Sequence, residues 1–159
     1  MNRTQKVATG GALGGILAAA ALLIQPWEGY KPKPYVDAVG ILTVCYGHTG
    51  RSTGTAVERR THTRAECDSL LDADMREAWR HVDRCITAPM TTGQGAALLS
   101  ATFNAGPALV CGSTLQRLAN AGDWAGACAQ LDRWVYAGGR QLPGLVRRRA
   151  AERAVCEGE

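Results

Sequence analysis

Several features that commonly point to a function are missing from this chain of 159 residues. It has no Cys-x-x-Cys pair, so the usual spacings of zinc sites and thioredoxin-type redox sites are absent. Neither sign of charge is in large excess, since 18 Lys and Arg accompany 14 Asp and Glu. The net charge of +4 is too small to indicate a nucleic-acid partner, and none is expected.

The composition does supply enough apolar residues, 46% of the total, to bury the core of one domain. Six Cys are a high number for this length and indicate an oxidising compartment in which the thiols are paired. The spacing of the cysteines alone leaves their connectivity open.

No charged residue occurs between Lys6 and Glu28. The run Val7–Trp27 would span about 31 Å as a helix at ~1.5 Å per residue, which matches a hydrocarbon core of about 30 Å. Ten of the 19 residues Val7–Gln25 are Ala or Gly, so the run is weakly hydrophobic for a transmembrane helix. Such a helix is able to enter a membrane and still to leave it.

Four interpretations of this N-terminal run stay open on its residues alone. They are a cleaved signal peptide, a permanent anchor, a releasable anchor and a buried Ala-rich helix of the domain itself. The end of the run, Leu22–Pro26, offers no small-x-small cleavage site, and the basic start at Arg3 and Lys6 weakens the buried-helix interpretation. These basic residues also predict that the rest of the chain faces away from the cytoplasm.

The rest of the chain predicts an α+β architecture, in which a small antiparallel sheet precedes a mainly helical lobe. The segment Ile41–Tyr46 is typical of a strand. Thr63-x-x-Glu66 and Thr91-x-x-Gln94 are capping boxes that predict the starts of two helices. Three further helices are expected over residues 114–121, 124–135 and 143–156, with a break at Gly138-Gly139.

Two carboxylates flank the first predicted β segment, since eight residues separate Glu28 from Asp37. Cleavage of a glycosidic bond requires one protonated and one ionised carboxyl group. Glu28 follows Pro26-Trp27, a partly apolar setting that favours the protonated form, whereas Asp37 lies in a polar turn that favours the ionised form. The same two residues also fit an ordinary solvated surface, so their neighbours must decide.

These neighbours form an ordered set of motifs. They read Glu28-Gly29, Tyr35-x-Asp37-x-x-Gly40, Thr43-x-x-Tyr46-Gly47-His48-Thr49-Gly50, Ser100-x-x-Phe103-Asn104-x-Gly106, and Pro143-Gly144-Leu145 with Arg147-Arg148 and Glu152. The set resembles the phage-type lysozymes, the T4 lysozyme-like glycoside hydrolases, from about Trp27 to Cys156. The first 26 residues resemble the signal-arrest-release segment of some phage endolysins.

The resemblance implies a two-lobed lysozyme fold with an extra N-terminal hydrophobic helix. It divides the chain into a releasable signal-anchor at residues 1–26 and a catalytic domain at residues 27–159. The implied reaction is hydrolysis of the β-1,4 bond between N-acetylmuramic acid and N-acetylglucosamine in peptidoglycan, without a metal or an organic cofactor. Glu28 matches the general acid, Asp37 the residue that acts on the water, and Thr43 the hydroxyl that helps to hold it.

The same resemblance implies further roles. His48 matches a histidine that forms an ion pair with an Asp on the following helix, for which Asp74 is the candidate. Arg148 fits a contact with Glu28 or with glycan, although the run Arg147–Arg149 also fits a solvated face. The residues expected to contact substrate are Phe103, Asn104, Thr114 and Arg148.

A regulatory thiol at Cys45 is possible, but Asp37 occupies the catalytic position and no Cys precedes Cys45, so a structural disulfide is the better interpretation. The pairs we expect are Cys45–Cys67, Cys85–Cys156 and Cys111–Cys128.

The function that follows is an endolysin tethered inactive at the host inner membrane and active in the periplasm after release. Its expected partners are peptidoglycan glycan strands and the inner membrane, with dependence on a holin or pinholin and a monomeric state. The alternative is a catalytically weak peptidoglycan-binding or structural domain with a lysozyme fold. The presence of Glu28, Asp37 and Thr43 favours the enzyme.

Overall fold

The computed structural model describes residues 10–51 and 53–158. Arg3, Lys6 and the first residues of the apolar run, Val7–Thr9, lie outside this part of the chain. The following residues form helix α1, Gly10–Glu28, which continues past Pro26 and ends on the candidate acid. No helix in the described ranges is both long enough and apolar enough to cross a membrane.

A small antiparallel hairpin follows α1. Strand β1, Lys31–Val36, pairs with strand β2, Leu42–Cys45. Gly29 has a φ of +69°, which glycine adopts without a steric penalty, and this lets the chain turn from α1 into β1. Only Gly29 and Tyr30 separate α1 from the hairpin.

The helical elements come next, as the capping boxes predict. Helix α2, Arg64–Cys85, begins at Thr63, and helix α3, Thr92–Ala105, begins at Thr91, with the reciprocal hydrogen bonds of the box present at both. The α+β class is therefore confirmed. The remaining elements are α4, Thr114–Asn120, α5, Trp124–Ala129, β3, Tyr136–Ala137, β4, Arg140–Gln141, and α6, Pro143–Glu157.

One local expectation was wrong and another was correct but incomplete. Helix α5 is shorter than predicted, because the chain tightens into a 3₁₀ turn at Gln130–Arg133. The predicted break at Gly138-Gly139 is the turn of the β3–β4 hairpin, where both glycines have positive φ angles. A two-residue strand carries too little alternation to be seen in a sequence.

Buried side chains form two clusters, and α3 contributes to both. Ala96 and Leu99 pack with residues of α1, β2 and α2. Leu98 and Ala101 pack with residues of α2, α4, α5 and α6. One cluster is the core of the hairpin-side lobe, the other is the core of the helical lobe, and α3 joins them.

Helix α1 is packed into the body of the protein. Its residues Ile16, Ala20 and Ile24 are buried, and they lie at the i, i+4 and i+8 spacing of one helix face. On α3, a Cβ atom at Gly95 would lie 2.9 Å from Cδ1 of Ile16, so the Ile16 side chain would have to shift to admit any larger residue. The two helices therefore fit closely, and α1 supplies part of the core.

Three disulfides join the six cysteines. Cys45 pairs with Cys67, as expected. The expected pairs Cys85–Cys156 and Cys111–Cys128 are wrong, since the structure joins Cys85 to Cys111 and Cys128 to Cys156. The true pairs tie the end of α2 to the loop before α4, and α5 to α6, because these segments are packed side by side in the helical lobe.

Candidate active site

Glu28 lies between two segments that are distant in sequence. On one side, Nη1 of Arg148 in α6 donates to Oε1 of Glu28 at 2.7 Å. On the other side lies Gly47, where an added Cβ atom would be 3.4 Å from Oε2 of Glu28. The Glu28 side chain keeps 22% of its surface exposed, so it is enclosed on two sides and still reachable.

Asp37 is held by the turn between β1 and β2. Its Oδ1 atom accepts hydrogen bonds from the backbone N–H groups of Val39 and Ile41, both at 2.9 Å. The backbone of Asp37 also donates to the carbonyl of Ile41 at 2.9 Å. The two backbone donors fix the direction of the Asp37 carboxyl group.

Thr43 lies on the same hairpin, opposite Tyr35 in the strand register. Its hydroxyl donates to the carbonyl of Ile41 at 3.0 Å, so the hydroxyl hydrogen is engaged and the oxygen remains an acceptor. The turn thus places one carboxylate and one hydroxyl within seven residues of each other, around the shared anchor Ile41.

His48 bridges the segment after β2 and helix α2. Its Nδ1 atom lies 2.9 Å from Oδ2 of Asp74, and its Nε2 atom lies 3.0 Å from the carbonyl oxygen of Thr55. The Asp74 hydrogen bond raises the pKa of His48 above its ordinary value, although burial opposes this rise. His48 is therefore a buried cross-link next to Gly47.

A cavity of about 240 Å³ lies between the lobes. Phe103, near the end of α3, lines it together with Gly47 and Thr49 from the hairpin side. Asn104 is the next residue and is exposed, with Oδ1 accepting from Nη2 of Arg149 at 3.0 Å. Thr114 is exposed at the start of α4 and does not line this cavity.

A buried charge cluster behind Glu28 was missed by the sequence analysis. Glu152 is fully buried, and its Oε2 atom lies 2.6 Å from Nε of Arg149, which is also buried. Its Oε1 atom accepts from Ser100 Oγ at 2.7 Å and lies 3.3 Å from Nε of Arg148. Burial raises the pKa of Glu152, while the charges of the two arginines and the Ser100 hydrogen bond oppose this rise.

The three arginines of the run therefore lie in two different environments. Arg147 is exposed, as a charge run usually is, whereas Arg148 and Arg149 point inward at helical spacing from Glu152. The spacings i, i+3 and i+4 were visible in the sequence and are the signal that could have found the cluster. Among the described residues, no group of His, Cys, Asp and Glu is arranged to hold a metal ion.

Comparison with known proteins decides the family. The phage lysozyme family model matches residues 25–152. The chain belongs to the phage lysozyme family. This confirms the resemblance that the motifs indicated.

Similar family members are endolysins. The chain is 44% identical to the SAR-endolysin of Bacteriophage PS119 over 149 residues, which cover 90% of this chain and 87% of that protein. It is 40% identical to the SAR-endolysin of Escherichia phage Mu over 146 residues, which cover 92% of this chain and 83% of that protein.

A solved structure, the endolysin from Escherichia coli O157:H7 phage FAHEc1, shares the fold with a TM-score of 0.75 at 28% identity, over 91% of each chain. The lysozyme fold is thereby confirmed, and this phage lysozyme is a lysozyme-type glycosidase and a peptidoglycan-lysing endolysin.

Proposed function

We propose that this phage lysozyme hydrolyses the β-1,4 bond between N-acetylmuramic acid and N-acetylglucosamine by a single inverting displacement. Glu28 gives its proton to the leaving glycosidic oxygen as the C–O bond breaks. Asp37 takes a proton from the water that bonds to the anomeric carbon, and Thr43 accepts a hydrogen bond from that water.

The observation that carries this proposal is the placement of Glu28 between Arg148 and Gly47, with part of its side chain exposed to solvent. A general acid must be fixed in direction and reachable by substrate, and this residue meets both conditions. Asp37 fits the second role because two backbone N–H groups fix the direction of its carboxyl group.

Substrate binding is proposed at the cavity between the lobes. Phe103 offers an apolar face in the cavity between the lobes, where the apolar side of a sugar ring can rest. Asn104, held by Arg149, offers an exposed amide next to it. Arg148 contributes through its contact with Glu28, and exposed Thr114 is proposed as a more distant glycan contact.

Mass spectrometry of the muropeptides released by the purified protein tests the reaction. After borohydride reduction, the expected products carry reduced N-acetylmuramic acid at the new end. Products that end in reduced N-acetylglucosamine or in anhydro-muramic acid would contradict the proposal. Binding to peptidoglycan without release of products would favour the alternative, a binding or structural domain.

We further propose that residues 1–26 first tether the chain, as a monomer, in the host inner membrane. Active enzyme would then appear in the periplasm, after a holin or pinholin collapses the membrane potential. The packing of α1 supports this order. Ile16, Ala20 and Ile24 cannot face lipid and fill the core against α3 at the same time. Because Glu28 is the last residue of α1, a membrane-bound α1 would keep the acid away from Arg148.

Raising the hydrophobicity of α1 tests the release. Gly14 and Gly15 are exposed. A Cβ atom added at Gly15 would lie 3.8 Å from Cγ2 of Thr92, and one added at Gly14 would meet nothing within 4 Å. Gly14→Leu with Gly15→Leu should therefore leave the folded domain intact while adding several kcal/mol of membrane affinity, at ~0.8 kcal/mol per buried CH₂.

The expected result is a protein that stays in the membrane fraction after an uncoupler is added and lyses cells late. Gly14→Ser with Gly15→Ser is the matched control and should be released normally. Release of the leucine variant on schedule, or an N-terminus found cleaved in the wild-type protein, would overturn the controlled release.

A further inference from the structure

We propose that Glu152 is a positioning residue for the reaction, a single buried carboxylate that holds Arg148 against the acid Glu28 and Arg149 against Asn104. The inference rests on the proposed function, since it presumes that Glu28 is the general acid. Glu152 itself is fully buried and touches no substrate.

Two series of contacts lead from this carboxylate to residues of the proposed site. In the first, Oε1 of Glu152 lies 3.3 Å from Nε of Arg148, whose Nη1 reaches Glu28 at 2.7 Å. In the second, Oε2 lies 2.6 Å from Nε of Arg149, whose Nη2 reaches Oδ1 of Asn104 at 3.0 Å. Each arginine therefore contacts both Glu152 and a residue of the proposed site, and Nη2 of Arg149 contacts both, since it also lies 3.1 Å from Oε1 of Glu152.

Glu152 is also held from a second element, because Ser100 in α3 donates its hydroxyl to Oε1 at 2.7 Å. The carboxylate thereby links α3 and α6 to the last residue of α1. A long arginine side chain has many rotamers, and one anchor at the Nε end removes most of them. The direction of Arg148, and with it that of Glu28, depends on this anchor.

The charge of Glu152 matters as well as its shape. A lone arginine beside Glu28 would favour the ionised carboxylate, which cannot donate a proton. The charged groups in contact with Glu152 are Arg148 and Arg149, and its negative charge offsets part of theirs. Glu152 thereby reduces the positive charge beside Glu28 while Arg148 still orients the acid.

The test is a double-mutant cycle in the full chain, with Glu152→Gln, Arg148→Gln and the combination of the two. The turnover number on soluble glycan strands, the unfolding free energy in urea and the pH–activity profile are measured for each protein. Glu157→Gln is the matched control, an exposed carboxylate in the same helix that pairs with Arg153 at 2.8 Å.

Glu152→Gln should lower the turnover number about 10- to 100-fold, the loss expected when a reacting group is displaced by ~1 Å. The alkaline limb of its pH–activity profile should move to lower pH, because two uncompensated arginine charges then disfavour protonated Glu28. The double variant should be no slower than the slower single variant. The control should match the wild type.

Three outcomes would each overturn the inference. The losses of the two single variants could multiply in the double variant, the alkaline limb of Glu152→Gln could stay in place, or the activity of Glu152→Gln could fall only in proportion to its folded fraction. If Glu152→Gln fails to fold, Ser100→Ala removes one anchor of the carboxylate but keeps its charge. Turnover should then fall less than in Glu152→Gln while the alkaline limb stays in place, and an unchanged turnover number in Ser100→Ala would overturn the inference. Wild-type protein without turnover would overturn the proposed function and this inference with it. Wild-type turnover with an unaffected Glu152→Gln variant would overturn the inference alone.

Discussion

The two proposed catalytic carboxylates are held in opposite ways. Glu28 is oriented by Arg148, 120 residues further along the chain, and by the close approach of Gly47. Asp37 is oriented by the backbone of Val39 and Ile41 within its own turn. The acid is therefore sensitive to changes in distant parts of the fold, whereas the base depends on a few neighbouring residues and on the hairpin that carries them.

The largest effect is expected on the acid side, from Glu28→Gln. The amide keeps the shape of the carboxyl group but cannot donate the proton, and general acid catalysis contributes typically ~10²–10⁴-fold. Lysis of chloroform-treated Gram-negative cells should fall by that factor, with an unchanged circular dichroism spectrum. Asp72→Asn on the exposed face of α2 is the charge-matched control. A residual rate above roughly a tenth of the wild type would remove Glu28 from the role.

The second effect concerns two disulfides, one that anchors the hairpin and one in the helical lobe. Replacing both cysteines of the Cys45–Cys67 pair by Ala should cost about 2–4 kcal/mol, and so should replacing those of Cys85–Cys111, since the sequence separations are 22 and 26. Only the first pair ties β2 to α2, so only its loss should lower activity at temperatures where both variants remain folded. Equal activity losses would show that the hairpin needs no tether.

The sequence predicted best what depends on neighbouring residues. The capping boxes at Thr63 and Thr91 set the starts of α2 and α3, because each box is complete within four residues. The strand β2 followed in the same way from its short apolar run. The family motifs, which are specific in order and spacing, predicted the lysozyme fold.

What the sequence could not predict depends on how the helices pack. Two of the three expected disulfides were wrong because spacing along the chain does not say which segments lie side by side. The inward direction of Arg149 and Glu152 was missed because a run of three arginines is usually solvated. The apolar run preceding Glu28 had four interpretations, and only the contacts of α1 with α3 show that this helix is buried in the folded domain.

A third, smaller effect tests the space beside the acid. Gly47 and Gly122 have φ angles of +84° and +83°, so Ala at either position should cost about 1–2 kcal/mol of stability. At Gly47 the new Cβ would lie 3.4 Å from Oε2 of Glu28, whereas at Gly122 it would meet nothing within 4 Å. Urea unfolding should give similar losses for the two variants, but turnover should fall only for Gly47→Ala. Equal turnover would mean that a Cβ atom in contact with Glu28 does not disturb the acid.

The smallest effect concerns His48, which supports the segment next to Gly47. Both ring nitrogens face acceptors, Asp74 and the carbonyl of Thr55, so the protonated ring satisfies both and the neutral ring only one. The pKa of His48 is accordingly raised above 6.5, mainly by the Asp74 hydrogen bond. The stability it adds is fully present below about pH 6.5, the unfolded value, and is lost as the pH rises through the higher folded value. The loss should be about 1 kcal/mol, the difference between a charged and a neutral hydrogen bond.

Urea unfolding of the wild type and of His48→Gln across this pH range measures the loss, since the contributions of other titrating groups cancel in the difference. The gap between the two proteins should narrow as the pH rises, and a gap that widens instead would mean that His48 is neutral in the fold.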